Sequence, residues 1–273
     1  MVWQHITDWS DAYSNGEHIP KSERWPALWS TPAAAFRDSL GERALLDQPY
    51  GDDPRHRFDL FLPQSKAHGL VVFIHGGYWM RLDKSLWSHL AAGPLARGYA
   101  VAMPSYRLCP DVRIRDIVAD AAAAVVAAAE WIAGPIHLTG HSAGGHLATR
   151  LIATGSPLPA DLLARIGNVV SISGLHDLRP LMRTGMNATL CIDAAEAASE
   201  SPALLEPIAG TGLTCWVGGA ERAEFRRQNA LLANIWLGLG VRTEAIEEPD
   251  RHHFTVVDGL ADPAHPLTMA LLG

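Results

Sequence analysis

Apolar and polar positions along the chain alternate between two spacings. Residues 56–62 alternate polar and apolar, the two-residue period of a half-buried strand. Residues 69–74 (GLVVFI) are apolar throughout, as expected of a strand covered on both faces. Residues 84–97 carry helical spacing and stop at Gly98, a C-capping residue, with Pro94 placed to kink or shorten the helix. The same reading predicts strands over 99–103, 136–139, 168–173, 213–217 and 241–246, and helices over 113–133, 143–153 and 221–239. Strands that alternate with helices predict an α/β protein: a mostly parallel central sheet, helices on both faces, right-handed crossovers.

Two segments fall outside this rhythm. Residues 1–54 are expected to be a wrapping segment. The first 50 are rich in Trp, Pro and Ser, with Trp3, Trp9, Trp25 and Trp29 among them, and show no clear strand pattern. So aromatic a stretch is expected to wrap the domain or cover a pocket. Residues 174–210 are long, mixed in character and without a clear strand, and are expected to form a small cap or lid over the C-terminal edge of the sheet. No internal repeat or low-complexity linker divides the chain, so residues 1–273 are expected to form a single domain, long enough to bury a sizeable core.

Composition narrows the function classes. Apolar residues make up 48% and charged residues 19% of the chain, the balance of an ordinary globular protein. A net charge of −7 with no block of Lys and Arg argues against a nucleic-acid surface. The first ten residues have no apolar core of signal-peptide length, and the most apolar later stretch, 119–133, contains Asp120 and Glu130 and is too short to span a bilayer. The three cysteines, Cys109, Cys191 and Cys215, are odd in number and unrelated in spacing, which points to neither a disulfide framework nor a zinc site. The expectation is a reduced, cytoplasmic protein, monomer or homodimer. It would act on a small molecule without metal or cofactor, and without a nucleic-acid or membrane partner.

The chemistry begins at Gly140-His141-Ser142-Ala143-Gly144, a G-x-S-x-G pattern between a predicted strand and a predicted helix. Such a turn exposes the serine on a sharp, strained bend, and small residues two before and two after it let the chain turn without clashing. Ser142 is the expected nucleophile of an α/β-hydrolase fold. His75-Gly76-Gly77-Tyr78-Trp79 follows the GLVVFI strand, where this fold places half of its oxyanion hole. The amides of Gly76, Gly77 and Tyr78, with that of Ala143, are the expected donors to a tetrahedral oxyanion. The fold's chain order is Ser, then acid, then His, so the base is His252 or His253, after the last predicted strand. For the acid, Glu221 follows the 213–217 strand and is preferred. Asp177 is the rival, one strand earlier, and Asp250 stands too close in sequence to the histidines.

With HGGYW, GHSAGG and HHF in view, the sequence resembles the kynurenine formamidase (arylformamidase) branch of the α/β-hydrolases. The resemblance extends over roughly residues 55–260. It includes Ser173-Gly174-Leu175-His176-Asp177-Leu178, Ser201-Pro202 and Glu224-Phe225-Arg226-Arg227-Gln228, and the tract from Tyr13 to Pro20 is also similar to bacterial members. It implies that the base is the histidine before a Phe, His253. In the family the acid is an Asp in a segment resembling VGGDE-x-x-EF. Here Ala220 stands in the aspartate's place with Glu221 beside it. The activity implied is hydrolysis of N-formyl-kynurenine through a Ser–acid–His triad and an acyl-enzyme. Tyr78, Trp79, His141 and Asn187 are the expected substrate contacts. The same machinery would serve a carboxylesterase acting on short-chain or aryl esters, and a catalytically dead binding protein on this fold is the remaining reading.

Overall fold

In a computed structural model, which describes residues 5–273, the centre is an eight-stranded sheet. Its strands are β1 (Ala44–Pro49), β2 (Arg57–Phe61), β3 (Leu70–Ile74), β4 (Ala100–Pro104), β5 (Ile136–His141), β6 (Ile166–Ile172), β7 (Gly212–Gly218) and β8 (Thr243–Glu248). They lie in the order β1-β2-β4-β3-β5-β6-β7-β8; β2 is antiparallel to both neighbours, and β3 through β8 are parallel. The helices are α1 (Trp9–Ala12), α2 (Trp25–Leu40), α3 (Ala92–Ala96), α4 (Ile114–Trp131), α5 (Ala143–Arg150), α6 (Ala160–Leu163), α7 (Asn187–Leu190), α8 (Ala194–Ser199), α9 (Ala223–Gly238) and α10 (Pro266–Leu272). No helix among the described residues is long and apolar enough to cross a membrane.

The unbroken apolar run of β3 divides between two cores. Leu70, Val72 and Ile74 pack into the core that holds Ile117, Leu147 and Trp236 of α4, α5 and α9. Val71 and Phe73 enter the opposite one, with Trp29 of α2 and Leu271 of α10. Burial on both faces explains why this strand shows no two-residue period.

Four features depart from the sequence pattern. Residues 84–97 form two 3₁₀ turns, Lys84–Leu86 and Ser88–Ala91, before the short α3, which contains Pro94; Gly98 then closes the segment at φ 83°. Strand β1 lies within the stretch that shows no strand signal. It is an edge strand whose register shifts between Leu45 and Gln48, with Asp47 at φ 55°, so no clean alternation survives. The first 40 residues also contain α2, sixteen residues long. Residues 174–210 hold short helical turns and no strand, and Leu181, Leu190, Ile192 and Ala197 are part of the main core.

Candidate active site

The bend at Ser142 comes from the way β5 meets α5. Ser142 sits at φ 57°, ψ −117°, between the last residue of the strand and the first of the helix. Such a conformation costs an L-residue about 1–3 kcal/mol and persists only where its surroundings enforce it. Here they do. The Ser142 N–H donates to the carbonyl of Ile172 at 2.8 Å, and all eight residues of α5 are buried. A side chain at Gly144 would run into the Ile74 carbonyl, and one at Gly140 would strike the backbone of Gly144. The flanking glycines are therefore required by the closeness of β3. The Ser142 hydroxyl makes no hydrogen bond among the described residues, and the residue lines a cavity.

Two turns beyond the sheet bring the candidate base and the candidate acid together. His253 Nδ1 stands 2.6 Å from Glu221 Oε2, with both residues buried. Glu221 Oε1 accepts from the Gly218 amide at 2.8 Å and from the Ser173 hydroxyl at 2.5 Å. A carboxylate oxygen only accepts, so the Nδ1–H of His253 donates to Oε2. The acid and base turns are stitched directly: the amide of Ala220 donates to the carbonyl of Arg251 at 3.0 Å. The rival carboxylates are elsewhere. Asp177 is held by Arg179 Nε and Nη2 at 2.9 and 2.8 Å, and Asp250 is an exposed turn residue at φ 58°. His252 packs edge-on against Trp25, 5.3 Å between ring centroids.

His141 serves this loop. Its Nε2 donates to the His253 carbonyl at 2.8 Å. Burial first, and the neighbouring His253 second, hold its pKa well below the ordinary histidine value, so the ring is neutral. His141 also borders the cavity. His146 is structural: its Nε2 bonds the Glu200 carbonyl at 2.6 Å, and burial pushes its pKa down to about 3.

The turn after β3 has an uncommon backbone. Gly77, Tyr78 and Trp79 have φ of 114°, 52° and 57° in succession. A side chain at Gly76 would lie 2.8 Å from the His141 carbonyl and 3.0 Å from Ser142 Cβ, so this turn leans directly on the serine bend. Among the described residues, no acceptor is bonded to the amides of Gly77 or Tyr78, and the first amide of a helix, here Ala143, has no acceptor within it. His75 anchors the turn: its ring stacks on Tyr106 at 4.3 Å, Nδ1 bonds the Gly76 carbonyl at 2.7 Å, and burial lowers its pKa to about 4.

Two expected substrate contacts are corrected. Successive positive φ values send Tyr78 and Trp79 different ways. Tyr78 borders the cavity, whereas Trp79 is fully buried in the core, edge-on to His146 at 5.0 Å. Asn187 is absent from the cavity wall. Its side chain bonds the amide and carbonyl of Ile192 at 2.9 and 3.1 Å, stapling its own turn.

The cavity measures about 970 Å³. Much of its wall is the strap of residues 8–29, and residues 174–210 reach it only through Gly185 and Met186. Trp25, Trp29 and Phe254 form an aromatic side, with Trp29 and Phe254 at 5.2 Å. Tyr13 pins the strap. Its carbonyl accepts from the Tyr78 hydroxyl at 2.5 Å, while its own hydroxyl donates to Glu224 at 2.8 Å and accepts from Gln228 at 3.0 Å. No catalytic motif marked Tyr13 or Asn15, although both lie in the tract from Tyr13 to Pro20 that is similar to bacterial family members. The concentration of tryptophans in the first 30 residues was a second signal.

Known proteins resemble this chain at several levels. The BD-FAE family profile matches residues 58–196. A kynurenine formamidase of Danio rerio is 31% identical over 242 residues, 84% of this chain and 81% of the relative. A solved structure from Silicibacter sp. TM1040, provisionally described as a thioesterase, is 47% identical, with a TM-score of 0.93 over 98% of this chain and 100% of that one. An isoprenylcysteine α-carbonyl methylesterase of Arabidopsis thaliana is 39% identical over 109 residues, 36% of this chain and 25% of the relative.

Proposed function

The chain belongs to the kynurenine formamidase branch of the α/β-hydrolase superfamily, hydrolases of the serine esterase and amidase type, and from that premise we propose that it cleaves a small aryl formamide such as N-formyl-kynurenine. His253 Nε2 takes the Ser142 proton as Oγ attacks the formyl carbon. The amides of Ala143 and of the Gly76–Tyr78 turn hold the resulting oxyanion. Glu221 fixes the Nδ1–H tautomer and stabilises the imidazolium that forms. Collapse breaks the C–N bond, and the aryl amine leaves with the proton from His253. Water, deprotonated by His253, then attacks the formyl ester, releasing formate and restoring Ser142. The observation that carries the proposal is the 2.6 Å His253–Glu221 contact beside the strained Ser142, on a cavity with an aromatic wall.

Incubating the protein with N-formyl-kynurenine tests this. Equimolar kynurenine and formate are expected from the wild type and not from Ser142→Ala. No release by the wild type would overturn the formamidase reading.

Ester or thioester hydrolysis is the second reading, supported by the description of the Silicibacter relative. The lining argues against a thioester of a polyanionic carrier. Asp8, Glu17 and Glu23 face the cavity, and Arg81 is the one fixed cation among the described lining residues. The three free cysteines suit a reducing compartment, and a cytoplasmic location is part of the proposal.

A further inference from the structure

Asn15 combines three properties that the fold does not account for. It lines the cavity that holds Ser142 and His253, and it is only 6% exposed. Its side-chain amide makes no hydrogen bond among the described residues, and Nδ2 is fully buried without a partner. A buried amide donor is ordinarily satisfied, and an exception calls for an explanation. Asn187 illustrates the rule, since both ends of its amide are bonded to Ile192.

The backbone around Asn15 is held firmly. Its carbonyl accepts from the His18 amide at 3.0 Å. Two residues earlier, Tyr13 is tied to Tyr78, Glu224 and Gln228. The amide is therefore presented by a fixed strap rather than a loose loop. Rotation of the amide about its Cβ–Cγ bond exchanges the oxygen and nitrogen ends, so the unpartnered donor can be turned to the cavity while the backbone of the wall stays fixed.

We propose that Asn15 is a substrate-specificity residue, whose side-chain amide donates a hydrogen bond to an oxygen on the ortho arm of the aryl leaving group. The assignment rests on reading the Ser142 site as one that cleaves aryl formamides, because the leaving group of N-formyl-kynurenine carries a ketone and a carboxylate on such an arm. Arg81, on the same wall, adds a positive charge for the carboxylate, and the strap acids Asp8, Glu17 and Glu23 suit an ammonium. A site built to hydrogen-bond a substrate group discriminates strongly against the analogue that lacks it.

The test compares kcat/KM for matched substrates with and without the arm. One pair is N-formyl-kynurenine and formanilide; the other is ortho-succinoylphenyl acetate and phenyl acetate. In Asn15→Leu, of similar size but without a donor, the armed-to-unarmed ratio is expected to fall about ten-fold or more, the factor expected for a lost hydrogen bond in a dry site. The melting temperature is expected to hold or rise, because the donor has no partner to lose in the free protein; a purely structural residue would lower it. An unchanged ratio in a folded variant overturns the proposal, as does a fall in melting temperature with no change in ratio. If Asn15→Leu fails to fold, Asn15→Ala supplies the same ratio. Failure of the wild type on both formamides would sink the formamidase reading alone, and the ester pair would still decide the role of Asn15.

Discussion

Four turns at the C-terminal edge of the sheet and the strap of residues 8–29 meet around a single cavity, yet they relate to the sequence in opposite ways. Each turn is local. Glycines at 76, 140, 144 and 218 are required because backbone from another element passes within contact distance, at Gly144 the Ile74 carbonyl and at Gly218 the Arg251 carbonyl, and Gly77 is required by its positive φ and the Arg81 carbonyl of its own turn. Constraints of that kind leave a fixed spacing in the sequence. The strap is held by contacts between positions some 65 and 211 residues apart, Tyr78 to Tyr13 and Tyr13 to Glu224. Such contacts leave no periodic trace. The groups proposed to make and break bonds sit on the side whose sequence is patterned, and the one proposed to select among substrates sits on the side whose sequence is not.

The largest effect expected is at the nucleophile. Ser142→Ala is expected to lower kcat on the order of 10⁴- to 10⁶-fold, as in other serine hydrolases, with an unchanged melting temperature. Retained turnover in a folded variant would move the reaction off the serine bend. Next comes the acid. Glu221→Gln keeps the shape but loses the charge opposite His253, and a loss of about 10³- to 10⁴-fold in kcat is expected. Asp177→Asn, which disturbs only the contact with Arg179, is expected to cost less than about ten-fold. Equal losses would refute the pairing of Glu221 with His253.

On the other side of the cavity, Tyr13→Phe removes a hydroxyl shared by Glu224 and Gln228, both buried. Both keep other partners, Glu224 with Arg227 and Gln228 with the Asp177 carbonyl, so losing this one buried hydroxyl is expected to cost about 0.5–1.5 kcal/mol, measured by chemical denaturation. A neutral result would mean that the strap is not held by this residue.

The smallest effect is a gradual one with pH. Burial lowers the pKa of His75 to about 4 and that of His146 and His176 to about 3, all below the ordinary value of 6.5. Between those values the unfolded chain binds more protons than the folded one, so acid favours unfolding. Stability is expected to be complete above pH 6.5 and to fall progressively down to about pH 3. A melting temperature flat from pH 7 to 4 would contradict the neutral burial of these rings.

Legibility follows the same division. Strands β3 to β7 were predicted within about two residues, because apolar runs and glycine stops are set by covering both faces of a sheet. Edge strand β1 was hidden by its bulge, and α2 by a tryptophan- and proline-rich stretch whose partners lie on distant elements. Within the site, Ser142 and the Gly76–Tyr78 turn announced themselves by motif. The choice between Glu221 and Asp177 depended on where a carboxylate points, which chain order alone does not fix. Trp79 and Asn187 were misplaced as substrate contacts for a related reason: a side chain next to a motif goes wherever the local φ sends it, and at Trp79 that is into the core.

The central claim is that these turns and this strap together make a formamide-selective hydrolase. Its most direct test is a side-by-side kcat/KM for N-formyl-kynurenine and a short p-nitrophenyl ester, with Ser142→Ala as the blank. A clear preference for the formamide is the predicted result. Turnover of the ester alone would contradict it, leaving a serine esterase whose strap selects for something else.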